Sequence, residues 1–166
     1  GIPYYVADWV KDEQSMITIT KEEFLENRNI IVKTGHEVVK VDVQSKQVRV
    51  KRLADNHEFV DDWHYLVIAT GARPRVLDVP GISLPRVFTV RGLDTGIMIK
   101  RFIKEHKPRS ACLVGASYIG LEMAEGLKAA GIERVIMIKN TPRLMPSFPE
   151  NVSSMLYGEL EKHGIR

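Results

Sequence analysis

Hydrophobic and polar residues alternate in two neighbouring stretches of the first third of the chain. The apolar members of both stretches are valines, at Val39, Val41, Val43, Val48 and Val50. A repeat of two on both sides of the polar segment 44–47 predicts a β-hairpin with one buried and one solvated face. Upstream of the hairpin, Thr20 and Glu23 stand at the spacing of a capping box, which predicts the start of a helix.

The middle of the chain carries a different pattern. The run from Tyr65 to Ala69 is apolar without alternation, which is typical of a strand covered on both faces. Gly71 ends the run, and the breakers that follow predict a linker or domain edge, at Pro74, Pro80, Gly81 and Pro85. Residues 93–107 then place apolar side chains at helical spacing, and Pro108 ends the predicted helix.

The final third has the pattern of a strand, a helix and a second strand. The apolar strand 111–115 leads into a helix with one apolar stripe, formed by Ile119, Met123, Leu127 and Ala130. The second strand, 134–138, is expected to lie parallel to the first, by the rules for crossover connections. A last helix is predicted from Pro149 to Gly164. The predicted fold class is therefore α/β.

The turn between strand 111–115 and its helix carries a dinucleotide fingerprint with one substitution. Gly115 and Gly120 occupy the first and third glycine positions of G-x-G-x-x-G, and Ser117 occupies the second. A pyrophosphate binds at such a turn because unpaired amides and the positive end of the helix dipole point at it. Ser117 narrows the approach without blocking it, and its hydroxyl could donate to a phosphate. Dinucleotide binding is predicted for Gly115, Ala116, Ser117, Ile119 and Gly120. The alternative is a glycine-rich turn kept only for packing.

The residues after the second strand bear on the choice of coenzyme. A carboxylate at this place would accept a hydrogen bond from the 2′-hydroxyl of an adenosine ribose. Lys139 and Arg143 follow instead, which favours the 2′-phosphate of NADPH over NADH. The alternative is that both cations are merely solvated.

Composition narrows the class of protein and its partners. Of the 166 residues, 44% are hydrophobic and 27% charged, which is typical of a soluble globular protein. The net charge of +3 comes without a basic block, so nucleic-acid binding is not expected. The apolar runs are too short to cross a bilayer, so no membrane partner is expected.

Cysteine and histidine content bears on redox and metal chemistry. Cys112 is the only cysteine, which excludes an internal disulfide and makes a cytoplasmic location the expectation. Its apolar neighbours predict that Cys112 is a small buried core residue rather than a reactive thiol. The five histidines lack metal-ligand spacing, so no metal site is predicted.

Three segments together resemble a known family. "WHYLVIATGARP", "VGASYIGLEMAE" and the opening "GIPYY" are similar, in order and spacing, to the FAD- and NAD(P)H-dependent pyridine nucleotide-disulfide oxidoreductases. The likeness is strongest to the branch with a single active-site cysteine: coenzyme A-disulfide reductases, NADH oxidases and peroxidases, and persulfide reductases. The resemblance implies parts of two Rossmann-like domains, which bind FAD and either NADP or NAD. Residues 1–81 would be the remainder of the FAD domain with an antiparallel β-meander, 82–108 a linker and connecting helix, and 109–166 the βαβ half of the NAD(P) domain.

The resemblance also assigns roles to residues near the two coenzymes. Tyr118 matches a tyrosine that lies over the flavin and swings aside for the nicotinamide. Glu122, four residues on and on the same helix face, matches a glutamate that points toward the nicotinamide and flavin. The segment that passes beside the flavin is matched by Ala69, Thr70 and Gly71. The residues alone leave two alternatives open, a Tyr118 packed at a domain edge and a solvated Glu122.

Other matches concern the substrate and the activity. Tyr4 and Tyr5 match aromatics at the place of the thiol substrate, and the alternative is that both are core aromatics. In this branch the redox cysteine precedes the stretch that matches "GIPYY", and a first FAD motif lies further upstream. We therefore expect an interior piece of an enzyme that passes a hydride from NAD(P)H through FAD to a disulfide, persulfide or peroxide, such as coenzyme A disulfide.

For the isolated chain we expect no such activity, because the nucleophilic cysteine has no counterpart in it. The alternative function is a non-catalytic nucleotide-binding or interaction module. Incomplete sheets have open edges and exposed apolar faces, so a homo-oligomer is also expected.

Overall fold

A computed structural model describes all 166 residues of the chain. Two compact units are present: unit 1 comprises Gly1–Thr18 and Arg73–Arg166, and unit 2 comprises Ile19–Ala72. Unit 2 holds an antiparallel three-stranded sheet and unit 1 a parallel two-stranded sheet, so the α/β class is confirmed. The two units do not coincide with the predicted segments 1–81, 82–108 and 109–166. The assignment of these segments to an FAD and an NAD(P) domain stays a prediction.

Unit 2 begins with a short helix, α2 (Lys21–Arg28), whose predicted capping box is confirmed. The Glu23 amide donates to Thr20 Oγ1 over 3.2 Å, and the Thr20 amide donates to Glu23 Oε2 over 2.8 Å. Two amides at the helix start are therefore satisfied by side chains within the same turn. The helix ends at Asn29, which adopts a left-handed conformation with φ of 53°.

The predicted hairpin of unit 2 is confirmed as β1 (His36–Asp42) and β2 (Gln47–Arg52). A third antiparallel strand, β3 (Glu58–Asp62), extends it on the other side of β2. The predicted buried face is wrong for most of the valines, since Val50 is 7% exposed whereas Val43 is 73% exposed. Alternation makes one face apolar, but it does not supply an element to cover that face.

The predicted strand over Tyr65 to Ala69 does not form. Residues 63–80 contain no helix or strand, and the Tyr65 side chain is 94% exposed. A buried parallel strand needs hydrogen-bonded neighbours and cover on both faces, and no strand of the chain pairs with this segment. The apolar run is therefore an exposed, extended stretch of this chain.

Unit 1 contains the predicted strand–helix–strand motif as β4 (Ser110–Val114), α4 (Tyr118–Ala129) and β5 (Arg134–Ile138). The strands are parallel, with Ser110 opposite Arg134 and Val114 opposite Ile138, as predicted. Two further predicted helices are confirmed as α3 (Leu93–His106) and α5 (Glu150–Lys162). After α5 the chain returns to the sheet, where Ile165 forms a parallel bridge with Val135.

The core of unit 1 lies where the helices meet one side of the parallel sheet. The N-terminal helix α1 (Ile2–Val6), which the sequence patterns did not predict, packs on α3 and α4, and a 3₁₀ turn follows at Gln14–Met16. The buried core residues are Val6, Ile99, Met123, Ala124, Leu127, Ile132, Val135 and Ile165. None of the helices of the chain is long and apolar enough to span a membrane.

The predicted burial of Cys112 is wrong, because the residue is exposed. Exposure alternates along β4: Ala111 and Leu113 are half-buried against the core, whereas Cys112 and Val114 point to the other face. The helices of unit 1 cover the face that carries Ala111 and Leu113. An apolar strand whose sheet is covered on one side only leaves every second residue in solvent.

Candidate functional site

The turn between β4 and α4 begins at a glycine in a special conformation. The Gly115 amide donates to the Ile138 carbonyl over 2.8 Å, so the pairing of β4 with β5 continues up to the turn. Gly115 has φ of +108°, a region that residues with a Cβ rarely adopt. The tight turn after the strand thus depends on glycine at this position.

Gly120, at the third position of the fingerprint, lets the start of α4 approach the backbone of Gly115 closely. A Cβ at position 120 would collide with the Gly115 carbonyl oxygen and would lie 3.5 Å from Met137 Cε. The first turn of α4 therefore packs directly on the backbone that precedes it. Gly115 and Gly120 have the geometric roles predicted for the first and third glycines of the fingerprint.

The start of α4 presents free hydrogen-bond donors. Ser117 is the N-cap, with φ of −89° and ψ of −178°, and its side chain makes no capping hydrogen bond. The first bond of the helix joins the Leu121 amide to the Ser117 carbonyl over 2.9 Å. The amides of 116–120 have no hydrogen-bond partner within the chain.

The electrostatics of this helix start suit an anion. No acidic residue lies in the first turn of α4, so nothing of the chain neutralises the positive end of its dipole. Ser117 and Ile119 are exposed, and Ala116 is half-buried. Backbone amides, a positive dipole end and a glycine turn are the components of a phosphate site in nucleotide-binding folds.

Tyr118 and Glu122 lie one helical turn apart on the solvent side of α4. The Tyr118 side chain is 60% exposed and its ring contacts that of Phe148 edge-on, with ring centroids 6.1 Å apart at 76°. Glu122 is exposed and forms no ion pair. Met123 and Ala124 on the opposite side of the helix are buried, which fixes the face that Tyr118 and Glu122 present.

The two cations that follow β5 are engaged within their own loop. Lys139 Nζ donates to the Thr141 carbonyl over 2.6 Å and lies 5.4 Å from the centroid of the Tyr157 ring. Arg143 Nη2 donates to the carbonyls of Pro146 at 2.8 Å and Phe148 at 3.1 Å. Its Nε is buried without a partner. Because β4 and β5 are parallel and in register, this loop and the β4–α4 turn leave the same edge of the sheet.

The other predicted site residues lie elsewhere. Ala69, Thr70 and Gly71 belong to unit 2, where they are exposed and lie outside any helix or strand. Gly71 has φ of +71°. No side chain of the chain donates to or accepts from these three residues by hydrogen bonding, so they form no enclosed site by themselves.

Tyr4 and Tyr5, both on α1, have different environments. Tyr4 is 44% exposed, and its ring centroid lies 5.4 Å from that of Trp9. Tyr5 is 5% exposed, and Lys100 Nζ lies 4.0 Å from the centroid of its ring. The Tyr5 hydroxyl donates to Glu13 over 3.4 Å, and burial raises the pKa of this phenol. Tyr4 is therefore open to a ligand, whereas Tyr5 is a core residue of unit 1.

Two features near these sites were missed by the sequence patterns. Phe148 contacts Tyr118 across a separation of thirty residues, from an irregular loop without periodicity. Lys100 Nζ lies 2.9 Å from an Asp8 oxygen and donates to the carbonyls of Val10 and Lys11. Neither contact has a local signal, because each joins residues that only the fold brings together. Regarding metals, the chain gathers no group of three or more His, Cys, Asp or Glu side chains.

A family model described as pyridine nucleotide-disulphide oxidoreductase matches residues 2–166. The chain is 36% identical over 168 residues to an NADH oxidase of Methanocaldococcus jannaschii, and 29% identical over 165 residues to a coenzyme A disulfide reductase of Staphylococcus haemolyticus. These alignments cover 100% and 99% of the chain and 37% of each relative.

A solved structure has the same fold over the whole chain. Reduced CoADR-RHD of Bacillus anthracis superposes with a TM-score of 0.93 at 28% identity, and the match covers 100% of this chain and 30% of that one. The chain thus spans little more than a third of the length of the curated relatives it matches.

Proposed function

Because the chain belongs to the pyridine nucleotide-disulphide oxidoreductase family, we propose that its β4–α4 turn binds the pyrophosphate of NADPH or NADH. The observation that carries the proposal is the row of unpartnered amides at 116–120, at a helix start without an acidic residue. Each amide can donate to a phosphate oxygen, and the Ser117 hydroxyl adds one more donor. Serine at the middle position of the fingerprint is therefore compatible with phosphate binding.

The nicotinamide end of the coenzyme would lie toward Tyr118 and Glu122. Tyr118 is the first residue of α4 and is largely exposed, so its ring can move without disturbing the core. We propose that the Tyr118 ring covers the nicotinamide site and moves aside when the nicotinamide binds. Glu122 would place a carboxylate beside the nicotinamide ring. The exposed Tyr4 would contact a small thiol or disulfide substrate, with Tyr5 supporting it from the core.

The adenosine end would lie at the loop that follows β5. This loop offers Lys139 and Arg143 and no carboxylate at the strand end, which suits a 2′-phosphate. The hydrogen bonds of Arg143 within the chain go to two neutral carbonyls of its own loop, so a negatively charged phosphate can compete for its guanidinium. We therefore propose a preference for NADPH over NADH.

FAD belongs to the family's chemistry, and when bound it supplies a ring system that accepts a hydride. In this chain the residues assigned to it, Ala69, Thr70 and Gly71, are exposed and are not joined by other polar groups into a cradle. They do not by themselves fit the group, and no step is assigned to them. The coenzyme turn in unit 1 is the part of the chemistry that this chain supplies.

For the complete protein we propose an oxidoreductase that draws electrons from NAD(P)H and delivers them to a disulfide, persulfide or peroxide. Coenzyme A disulfide is the acceptor suggested by the relative named for it. The second candidate function is a non-catalytic nucleotide-binding module, which is favoured by the free amides at 116–120, since they can hold a phosphate without any nucleophile. Both candidate functions use the coenzyme turn, but only the oxidoreductase would oxidise NAD(P)H catalytically.

A charge placed on the helix start tests the proposal. Ser117→Asp supplies a better N-cap, so the melting temperature should rise, while its carboxylate occupies the free amides and repels a pyrophosphate. NADPH, NADH and FAD are titrated separately by fluorescence. The expected result is NADPH binding in the parent chain and at least about tenfold weaker binding in the variant, which corresponds to the loss of one charge-assisted contact.

Ser45→Asp is the matched control, because it makes the same charge change on an exposed turn of unit 2. Its affinity for NADPH should equal that of the parent. Equal NADPH affinity for the parent and Ser117→Asp, or no binding of either nicotinamide coenzyme, would contradict the proposal.

A further inference from the structure

The tyrosine of the coenzyme turn has one aromatic neighbour. Phe148 meets Tyr118 edge-on at a centroid distance of 6.1 Å, an arrangement that is favourable for two aromatic rings. The Tyr118 hydroxyl forms no hydrogen bond within the chain, and the ring is largely in solvent. The Phe148 ring is half-buried and therefore better fixed than the tyrosine it contacts.

We propose that Phe148 is a positioning residue that holds the Tyr118 ring beside the coenzyme turn, and that Arg143 controls this hold from the adenosine end. The inference rests on the proposed function of the turn and adds a link between the two ends of the site. It concerns how the chain distinguishes a coenzyme with a 2′-phosphate from one without.

The segment that carries Phe148 is closed by hydrogen bonds from both sides. The Phe148 amide donates to the Met145 carbonyl over 2.9 Å. Arg143 Nη2 bridges the carbonyls of Pro146 and Phe148. Leu144 and Met145 are buried and anchor the loop in the core. The guanidinium therefore clamps the end of the loop at the residue whose ring contacts Tyr118.

The same guanidinium is the group that a 2′-phosphate would recruit. A phosphate carries negative charge and accepts bidentate hydrogen bonds from arginine, whereas the loop carbonyls are neutral acceptors. Arg143 would then release the carbonyls of Pro146 and Phe148. The edge-on contact between Phe148 and Tyr118 would loosen, and the Tyr118 ring could then move aside for the nicotinamide. A coenzyme without the 2′-phosphate leaves the clamp closed.

The experiment follows the Tyr118 ring directly by NMR of the chain with ¹³C-labelled tyrosine. The signal of Tyr118 is assigned among the five tyrosines by its loss in Tyr118→Phe. Phe148→Leu removes the neighbouring ring current, so the Tyr118 signal should move toward the position of a free tyrosine. Arg143→Met has no donor for the carbonyls of Pro146 and Phe148, and it should move the signal in the same direction although residue 143 does not touch the tyrosine.

Phe102→Leu is the matched control. Phe102 lies on α3 and also belongs to an aromatic cluster, with Phe88 and His106, and it does not contact Tyr118. Its replacement should leave the Tyr118 signal in place. Melting temperatures of all variants identify any chain that has failed to fold. A folded variant at position 148 or at position 143 is enough to test whether the loop positions the Tyr118 ring.

The ligand arms use adenosine 2′,5′-bisphosphate and 5′-AMP, which differ only in the 2′-phosphate. The bisphosphate should move the Tyr118 signal as Arg143→Met does, and it should have no such effect in Phe148→Leu. 5′-AMP should leave the signal in place. An unchanged signal in folded Phe148→Leu, or identical effects of the two nucleotides, would overturn the inference. Absence of coenzyme binding would instead remove the proposed function, while the Phe148→Leu arm would still decide the positioning role.

Discussion

The carbonyl oxygen of Gly115 lies where the first side-chain atom of a larger residue at position 120 would have to sit. Gly120→Ala should therefore push the first turn of α4 away from the strand end. We expect the free energy of unfolding to fall by about 1–3 kcal/mol, the usual cost of overpacking, and NADPH binding to weaken. Urea unfolding and coenzyme titration measure the two effects.

Gly158 provides the control for this prediction, since it lies in α5 and a Cβ there would meet open space. Gly158→Ala should raise the free energy of unfolding by up to about 1 kcal/mol, because alanine is the better helix former. Similar changes in the two variants would show that the Gly115 carbonyl imposes no constraint on position 120.

Asp8 should contribute to the acid sensitivity of unit 1. Hydrogen bonds from Lys11 and then Lys100 lower the pKa of this carboxyl from 3.8 to about 2. Since the folded chain favours the carboxylate, its stabilising effect is fully present above the ordinary pKa and is lost as the pH falls toward about 2. Asp8→Asn should flatten the loss of melting temperature between about pH 4 and pH 2.

Melting curves of the whole chain across this pH range check the expectation, together with an NMR titration of the Asp8 carboxyl. Asp78→Asn is the control, because Asp78 is exposed and belongs to no ion pair. If Asp8→Asn and the parent lose stability in parallel on acidification, the ion pairs of Asp8 are without effect on folding.

Lys100 should stabilise the segment that follows α1. Its ammonium contacts the Asp8 carboxylate and the carbonyls of Val10 and Lys11, and it lies over the Tyr5 ring. Lys100→Met keeps the length of the side chain and removes the donor from the carbonyls of Val10 and Lys11, while Asp8 keeps its contact with Lys11. We therefore expect a loss of about 1 kcal/mol. Urea unfolding followed by tryptophan fluorescence measures it, and amide exchange localises it.

Lys104→Met, an exposed position on the same helix, serves as the comparison and should be nearly neutral. Faster amide exchange confined to the residues after α1 would support the assignment. An equal effect of the two lysine variants would refute it.

The 166-residue chain on its own should not reduce coenzyme A disulfide with NADPH, even when FAD is added. A disulfide is reduced by a thiolate nucleophile, and the only cysteine is Cys112 on β4. NADPH oxidation is followed by its absorbance, and binding of NADPH to the same sample shows that the chain is folded. Turnover above background that disappears in Cys112→Ser would contradict the prediction.

Local signals in the sequence predicted the parts of the fold that local chemistry determines. The capping box at Thr20, the hairpin around residues 44–47 and the glycines at 115 and 120 each act within a few residues. The same holds for the strand–helix–strand order of the last third, where the apolar periodicity of the sequence matches the observed elements β4, α4 and β5. These elements are confirmed with boundaries shifted by a few residues at most.

Burial could not be predicted in the same way, because it depends on what lies opposite. The apolar run from Tyr65 to Ala69 has the composition of a covered strand, yet no strand of the chain pairs with it. Cys112 lies on the uncovered face of β4 for the same reason. Phe148 was missed because an edge contact between two rings thirty residues apart leaves no periodic trace.

The discontinuity of unit 1 has a consequence for the order in which it is made. Gly1–Thr18 leaves the ribosome well before α3 and α4, the helices on which α1 packs. All of Ile19–Ala72 is synthesised in between, so docking closes a long loop, which is entropically costly and slows folding. Helix α1 must therefore wait for these two packing partners until more than seventy further residues have been synthesised.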